Sequence, residues 1–103
     1  GGEDDWALVR ELLFGIQSTA LIDQLDSEDM LPDDLGEAGP TGRADRNVAA
    51  AVFPRYRDVA VAEPENWRSW ARLGIAHDAC GDRTRARRAI RAAISLKRNE
   101  IRS

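Results

Sequence analysis

The sequence contains little of what most catalytic and metal sites are built from. Its 103 residues include one cysteine, Cys80, and one histidine, His77. A single cysteine excludes an internal disulfide and a multi-cysteine metal site, and it is typical of a reducing compartment. We therefore expect a cytoplasmic location and neither a metal nor another cofactor.

Long apolar runs and strand patterns are missing as well. No stretch approaches the roughly 20 apolar residues that a membrane-spanning helix needs, so no membrane partner is expected. β-branched residues do not alternate with polar ones as they do in strands. A hydrophobic content of 43% beside 32% charged residues is sufficient for a folded core. The sequence predicts a single all-α domain over residues 1–103.

Catalytic motifs are also absent. There is no glycine-rich phosphate loop after a strand, no metal-ligand spacing and no pair of carboxylates on a predictable scaffold. Asp78 follows His77 directly, and adjacent helical residues point about 100° apart, so Asp78 would not orient the imidazole. We expect Cys80 to be a small buried residue, and the chain not to be an enzyme.

Charge is abundant and unevenly divided. Residues 1–66 hold 15 acidic and 5 basic residues, whereas residues 67–103 hold 3 acidic and 10 basic residues. The formal charges of the two parts are −10 and +7. Parts of opposite charge can attract each other within one chain, associate head to tail between chains, or offer the basic part to an acidic partner.

Residues 4–25 are predicted to form the first helix, because apolar residues recur there at helical spacing. Further leucines and isoleucines widen this stripe past half of the circumference. Two interpretations stay open. The helix could be the central core helix, or its leftover apolar face could form a homodimer or partner interface.

Residues 26–44 are predicted to be an acidic loop, since proline and glycine interrupt regular structure from Pro32 onwards. The carboxylates lack the alternation of a calcium-binding loop. The loop is either solvated or docked onto the basic C-terminal helix. A loop of this length in a small domain is usually functional or disordered.

Residues 45–62 are predicted to form a second helix, with Asp45 as its N-cap. Pro54 would remove one backbone hydrogen bond and crowd the preceding turn, which predicts a kink or a break near Phe53. Glu63 precedes Pro64, and this pairing favours the end of the helix.

Residues 66–98 are predicted to form an antiparallel helical hairpin. Asn66 is a suitable N-cap for its first helix, Gly81 suits a left-handed turn, and Asp82 is a suitable N-cap for a helix over 83–98. On this last helix the apolar residues share one side: Ala86, Ala89, Ile90, Ala93, Ile94 and Leu96. Arginines gather on the opposite side: Arg87, Arg88, Arg91 and Arg98.

The hairpin, over residues 66–100, resembles the tetratricopeptide repeat family. The matching positions are Trp70, Leu73, Gly74, Gly81, Ala86, Ile90 and Ala93. The sequence departs from the family pattern at His77, where an aromatic is usual, and at Arg98, where proline is usual. The resemblance leaves open whether the chain is a stand-alone domain or a piece of a longer array.

In this family the first helix of each pair lines a concave groove that binds peptides or partner helices. The resemblance therefore implies partner-binding positions at Arg68, Ala71, Ile75, Asp78 and Ala79. The alternative is that the first helix or loop 26–44 covers this face within the chain.

Arg87, Arg88 and Arg91 form a second candidate surface, which is either a solvated face partly paired with the acidic loop or a site for an acidic protein partner or for nucleic acid. The acidic net charge, and the absence of aromatics between the arginines, argue against nucleic acid. The favoured hypothesis is a non-catalytic protein–protein interaction module, an adaptor or accessory subunit, that binds a peptide or partner helix. The alternatives are a small nucleic-acid-binding regulator that uses helix 83–98, and a non-catalytic enzyme subunit with a ligand pocket under loop 26–44.

Overall fold

The computed structural model describes Gly15, residues 17–32, Leu35 and residues 46–102. Across these residues the chain forms four helices and no strand, which confirms the all-α fold. The described part of α1 runs over 17–27, α2 over Arg46–Ala62, α3 over Trp67–Ala79 and α4 over Arg83–Arg102. The predictions for residues 4–14 and for most of loop 26–44, with the Asp45 cap, lie outside the described residues.

Helix α1 extends past residue 25 and ends in an ordered turn. Asp29 adopts a left-handed conformation with φ 56°. The Met30 N–H donates to the Leu25 carbonyl at 2.8 Å, and the Asp29 N–H donates to the Asp26 carbonyl at 3.1 Å. This is the left-handed ending usually built on glycine, which aspartate tolerates because its short polar side chain is compatible with that backbone. The start of the predicted loop is therefore helix and turn.

Helix α2 is continuous through Pro54, so of the two predicted alternatives the break near Phe53 does not occur, and the kink stays a prediction. Pro54 lies on the exposed side of the helix. The opposite side packs against α3 in an apolar cluster whose α2 members are Ala49, Tyr56 and Ala60. Tertiary packing of this kind supplies most of the stability of a short helix, and it holds α2 together despite the missing N–H.

The hairpin begins and turns where the sequence predicts. The Asn66 side chain accepts a hydrogen bond from the Arg68 N–H at 3.0 Å. Gly81 has φ 88°, and the Asp82 Oδ1 accepts from the Arg85 N–H at 3.1 Å. Helix α4 continues to Arg102, past the predicted end at Arg98.

Helices α3 and α4 approach each other closely at Gly74. A Cβ atom placed there would lie 2.8 Å from the Ile90 Cδ1 and 3.2 Å from the Ala86 carbonyl oxygen. Both distances are shorter than ordinary van der Waals contact. The hairpin geometry therefore depends on the missing side chain at this position.

Helix α3 lies between two apolar clusters. In the first cluster, Leu21 and Leu25 of α1 pack with residues of α3 and α4, namely Trp67, Ala71, Ile90 and Ala93. In the second, α2 packs against Leu73 and Ala76 on another side of α3. Trp70 and Ile75 contact both clusters. The position of α1 against α3 decides which part of the predicted groove stays open.

Candidate partner-binding groove

The predicted partner-binding face of α3 is partly covered by the chain itself. Ala71 is fully buried in the cluster that contains Leu21 and Leu25. The prediction that Ala71 contacts a partner is therefore wrong for the folded chain, because α1 occupies the surface above it. At this end of the α3 face the alternative prediction holds, in which the first helix covers the face.

Arg68 is held by an ion pair with Glu28. Its Nε lies 2.7 Å from the Glu28 Oε1, and its Nη2 lies 2.8 Å from the Oε2. This two-point contact joins the end of α1 to the first turn of α3. The hydrogen bonds from Arg68 lower the pKa of Glu28 to about 2. Arg68 therefore has an intramolecular partner in the position where the resemblance places an external one.

Beyond this ion pair, the described residues leave a groove of about 500 Å³ between the end of α1, α3 and α4. Its walls are mostly apolar, and the residues that form them are Ile22, Leu31, Pro32, Gly74, Ile75, Ala86 and Ile90. The polar residues that line it are Ser18, Asp78, Arg83 and Arg87. The volume lies within the usual range for sites that take a small molecule or the anchoring side chains of a partner.

The groove brings together residues from both surfaces that the sequence singled out. Ile75 and Asp78 come from the implied groove face, and Arg87 comes from the arginine face of α4. Arg88 and Arg91 are exposed on α4 but do not line the groove. Ala79 also lies elsewhere, because it packs against the cluster shared by α2 and α3.

Eight groove residues were not among the predicted site residues, and three of these, Ile22, Leu31 and Arg83, show what signal the sequence offers. Ile22 had been assigned only to the apolar stripe of the first helix, and Leu31 to the acidic loop. Arg83 is the first residue of α4. Arg83 and Arg87 stand four residues apart, and residues at this spacing are neighbours on the surface of a helix. This spacing is the signal that could have identified Arg83 as a site residue.

His77 and Cys80 lie on the side of α3 that faces α2, away from the groove lining. The His77 ring centroid is 4.7 Å from that of Phe53, and burial lowers the pKa of His77. Burial also raises the pKa of the Cys80 thiol. A protonated thiol is a poor nucleophile, so this environment does not activate Cys80.

Metal sites and membrane-spanning helices are two further possibilities in the part of the chain that the structure describes. No group of three or more histidine, cysteine, aspartate or glutamate residues there is arranged to hold a metal ion. None of the helices described combines the length and the apolar character that crossing a bilayer requires.

The fold and the groove define the class: a small all-α domain in which α1, α3 and α4 enclose an apolar groove with arginines along one wall. Comparison with models of known protein families, with curated proteins and with solved structures finds no match for this chain. The resemblance of residues 66–100 to a tetratricopeptide repeat therefore stays a prediction. Function has to be argued from the residues of the groove.

Proposed function

We propose that this protein is a non-catalytic protein–protein interaction module that binds a peptide or partner helix in the groove between α1, α3 and α4. The observation that supports this most is the groove itself, an open apolar surface next to the covered half of the α3 face. We place the protein in the cytoplasm because a chain with a single cysteine is typical of a reducing compartment. Its role would be that of an adaptor or accessory subunit.

Exposed apolar side chains in the groove favour a macromolecular partner. Ile22 is 39% exposed, and Leu31 and Ile75 are only partly buried. Apolar grooves between helices are a common docking surface for amphipathic helices, whose anchors follow the helical repeat. A few large anchors that fill such a groove usually supply most of the binding free energy.

Photocrosslinking tests the proposal. A benzoylphenylalanine is introduced at Ile22 in the groove or, as a matched control, at Val61, an apolar side chain that is 73% exposed on α2. We expect a discrete adduct, identified by mass spectrometry after irradiation in a lysate of the source cells, from position 22 and not from position 61. Adducts of equal yield from both positions, or none from position 22, would contradict the proposal.

A second candidate is the nucleic-acid-binding regulator, and it is favoured by one specific observation. Arg87, Arg88 and Arg91 are all exposed along α4. Phosphate contacts from such a row would give binding that weakens steeply with salt. A titration of random duplex DNA at low ionic strength decides the matter, since the absence of binding there removes this candidate.

The enzyme-subunit hypothesis and the homodimer hypothesis remain proposals of lower rank. Leu31 and Pro32 line the groove, which is where the enzyme-subunit hypothesis expects a ligand pocket. A homodimer through helix 4–25 would have to use residues other than Leu21 and Leu25, because both are buried within the chain.

A further inference from the structure

We infer that Asp78 and Arg83 determine the specificity of the groove, and that the partner segment bound there carries a large apolar anchor flanked by one basic and one acidic residue. This inference deepens the proposed function and rests on it. The apolar lining alone would accept any apolar anchor of suitable size, whereas two charges of opposite sign would also select the residues beside the anchor.

Asp78 and Arg83 line the groove next to the hairpin turn, one from α3 and the other from α4. Asp78 lies in the last turn of α3, and Arg83 is the first residue of α4. Both residues are exposed. Among the residues that the structure describes, neither side chain takes part in a hydrogen bond or an ion pair. Both side chains are therefore available to a partner.

Both charges stand at the helix end that disfavours them. The C-terminal end of a helix carries a partial negative charge, and the N-terminal end carries a partial positive charge. Asp78 lies near the negative end of α3, and Arg83 lies at the positive end of α4. Arg85, in the same first turn of α4, differs, because its Nη1 lies 3.5 Å from the Asp82 Oδ2 within the chain. Unpaired charges that oppose their own helix are expected at functional sites, where local stability is lower than it could be.

The apolar part of the groove provides the place for the anchor. Ile75 lies three residues before Asp78 on α3, so the two side chains are neighbours on the surface of that helix. Ile22 of α1 and Leu31 of the turn after it line the same groove. An aliphatic or aromatic side chain placed among these three residues would leave water, which favours binding. The neighbours of that anchor in the partner would then lie close to Asp78 and Arg83.

Charge complementarity with these two side chains defines the residues that flank the anchor. A lysine or arginine of the partner that faces α3 would pair with Asp78. An aspartate or glutamate that faces α4 would pair with Arg83, whose guanidinium group can hold a carboxylate through two parallel hydrogen bonds. A segment in which the two charges are exchanged would meet a like charge at both positions and would be rejected.

Selection from a phage-displayed library of random linear peptides tests the inference without a known partner. The full chain is compared with the charge-reversed variants D78K and R83E. R88E is the matched control, because Arg88 is exposed on the same helix as Arg83 and does not line the groove. Wild type and R88E should both enrich peptides in which leucine, isoleucine or phenylalanine stands near one basic and one acidic residue. R83E should select a basic residue in place of the acidic one, and D78K an acidic residue in place of the basic one.

Affinity and stability of the neutral variants D78N and R83Q provide a second test. A peptide selected on the wild type should bind each variant about tenfold more weakly, the loss typical of one charged hydrogen bond. The urea midpoint of each variant should equal or exceed that of the wild type, because the substitution removes a charge from the helix end that disfavours it.

The outcomes separate this inference from the proposed function. If the wild type enriches no peptide, the proposed function is contradicted, and this inference falls with it. If the wild type enriches peptides that lack either charge, or if D78K and R83E select the same peptides as the wild type, this inference alone is overturned. A urea midpoint of D78N or R83Q below that of the wild type would also overturn it, since the residue would then stabilise the fold. The neutral variants provide the comparison if a charge-reversed variant does not fold.

Discussion

Gly74 sets the distance between α3 and α4. An alanine Cβ there would lie 2.8 and 2.9 Å from two side-chain carbons of Ile90, which would have to move. Overpacking of this kind costs about 1–3 kcal/mol, while alanine recovers up to about 1 kcal/mol of helix propensity. We expect Gly74→Ala to destabilise the chain by about 1–2 kcal/mol in urea denaturation.

Gly15 in α1 provides the matched control. A Cβ added at that position meets no atom of the described residues within 4 Å. Gly15→Ala should therefore raise the free energy of unfolding by up to about 1 kcal/mol through helix propensity alone. A Gly74→Ala protein as stable as the Gly15→Ala protein would show that α3 and α4 are not packed as closely as described.

The ion pair between Glu28 and Arg68 predicts a dependence of stability on pH. Hydrogen bonds from Arg68 lower the pKa of Glu28 from 4.5 to about 2 in the folded chain. Because the folded pKa is the lower one, the contribution is fully present above pH 4.5 and is lost as the pH falls towards 2. Glu28→Gln should therefore flatten the fall in urea midpoint over that pH range.

A double-mutant cycle assigns this effect to the pair. Arg68→Gln removes the main cause of the lowered pKa of Glu28. It should therefore flatten the fall in urea midpoint over the same pH range as Glu28→Gln does. The double variant should lose little more than either single variant, since the residues act as a unit. Strictly additive losses would mean that the two side chains do not interact in solution.

Turn residues show what local sequence can and cannot predict. Gly81 was recognisable as a left-handed helix end, and the structure confirms it with φ 88°. Asp29 ends α1 through the same pair of hydrogen bonds, but aspartate in an acidic run has many other roles and gave no distinct signal. The end of α1 was therefore placed at residue 25, before its actual end.

At the scale of helices, α1 should act as part of the core. Leu25 is fully buried against Trp67 and its neighbours, whereas Ile22, three residues earlier, is partly exposed in the groove. Leu25→Ala should cost about 2–5 kcal/mol in the free energy of unfolding. Ile22→Ala should cost below about 1 kcal/mol, because its side chain is already partly in water.

The order of the two effects should be reversed when peptide binding to the folded protein is measured. Ile22→Ala removes a wall of the groove and should weaken binding, while Leu25→Ala changes a side chain that a partner cannot touch. Equal destabilisation by the two substitutions in urea denaturation would contradict the described orientation of α1.

The hairpin was predictable because its signals are local. Asn66, Gly81 and Asp82 each act within a few residues of their own position, through caps and a turn. Cover of α3 by α1 was one of two alternatives that the sequence left open, since an apolar stripe shows that a helix has a buried side and not which helix it meets. The ion pair from Glu28 to Arg68 spans 40 residues of sequence. A contact between residues so far apart in the sequence leaves no local signal.

At the scale of the whole molecule, the acidic and basic parts of the chain meet at the ion pair, and residues of both parts line the groove. Glu28 belongs to the acidic part and Arg68 to the basic part, so their ion pair joins the two oppositely charged parts within one chain. Arg83 and Arg87, further along the basic part, line the open groove. One end of the α3 face is therefore buried in the fold, and the other end is where we propose that a partner binds.

Mapping of amide chemical shifts tests whether a partner binds in the groove between α1, α3 and α4. A peptide selected on the full chain is titrated into isotope-labelled protein, and the shift changes are followed residue by residue. If a partner binds in the groove, the largest changes cluster at Ile22, Leu31, Ile75, Asp78 and Arg87, with little change at Val61. Changes confined to the exposed side of α4 around Arg88 and Arg98, or to α2, would contradict it.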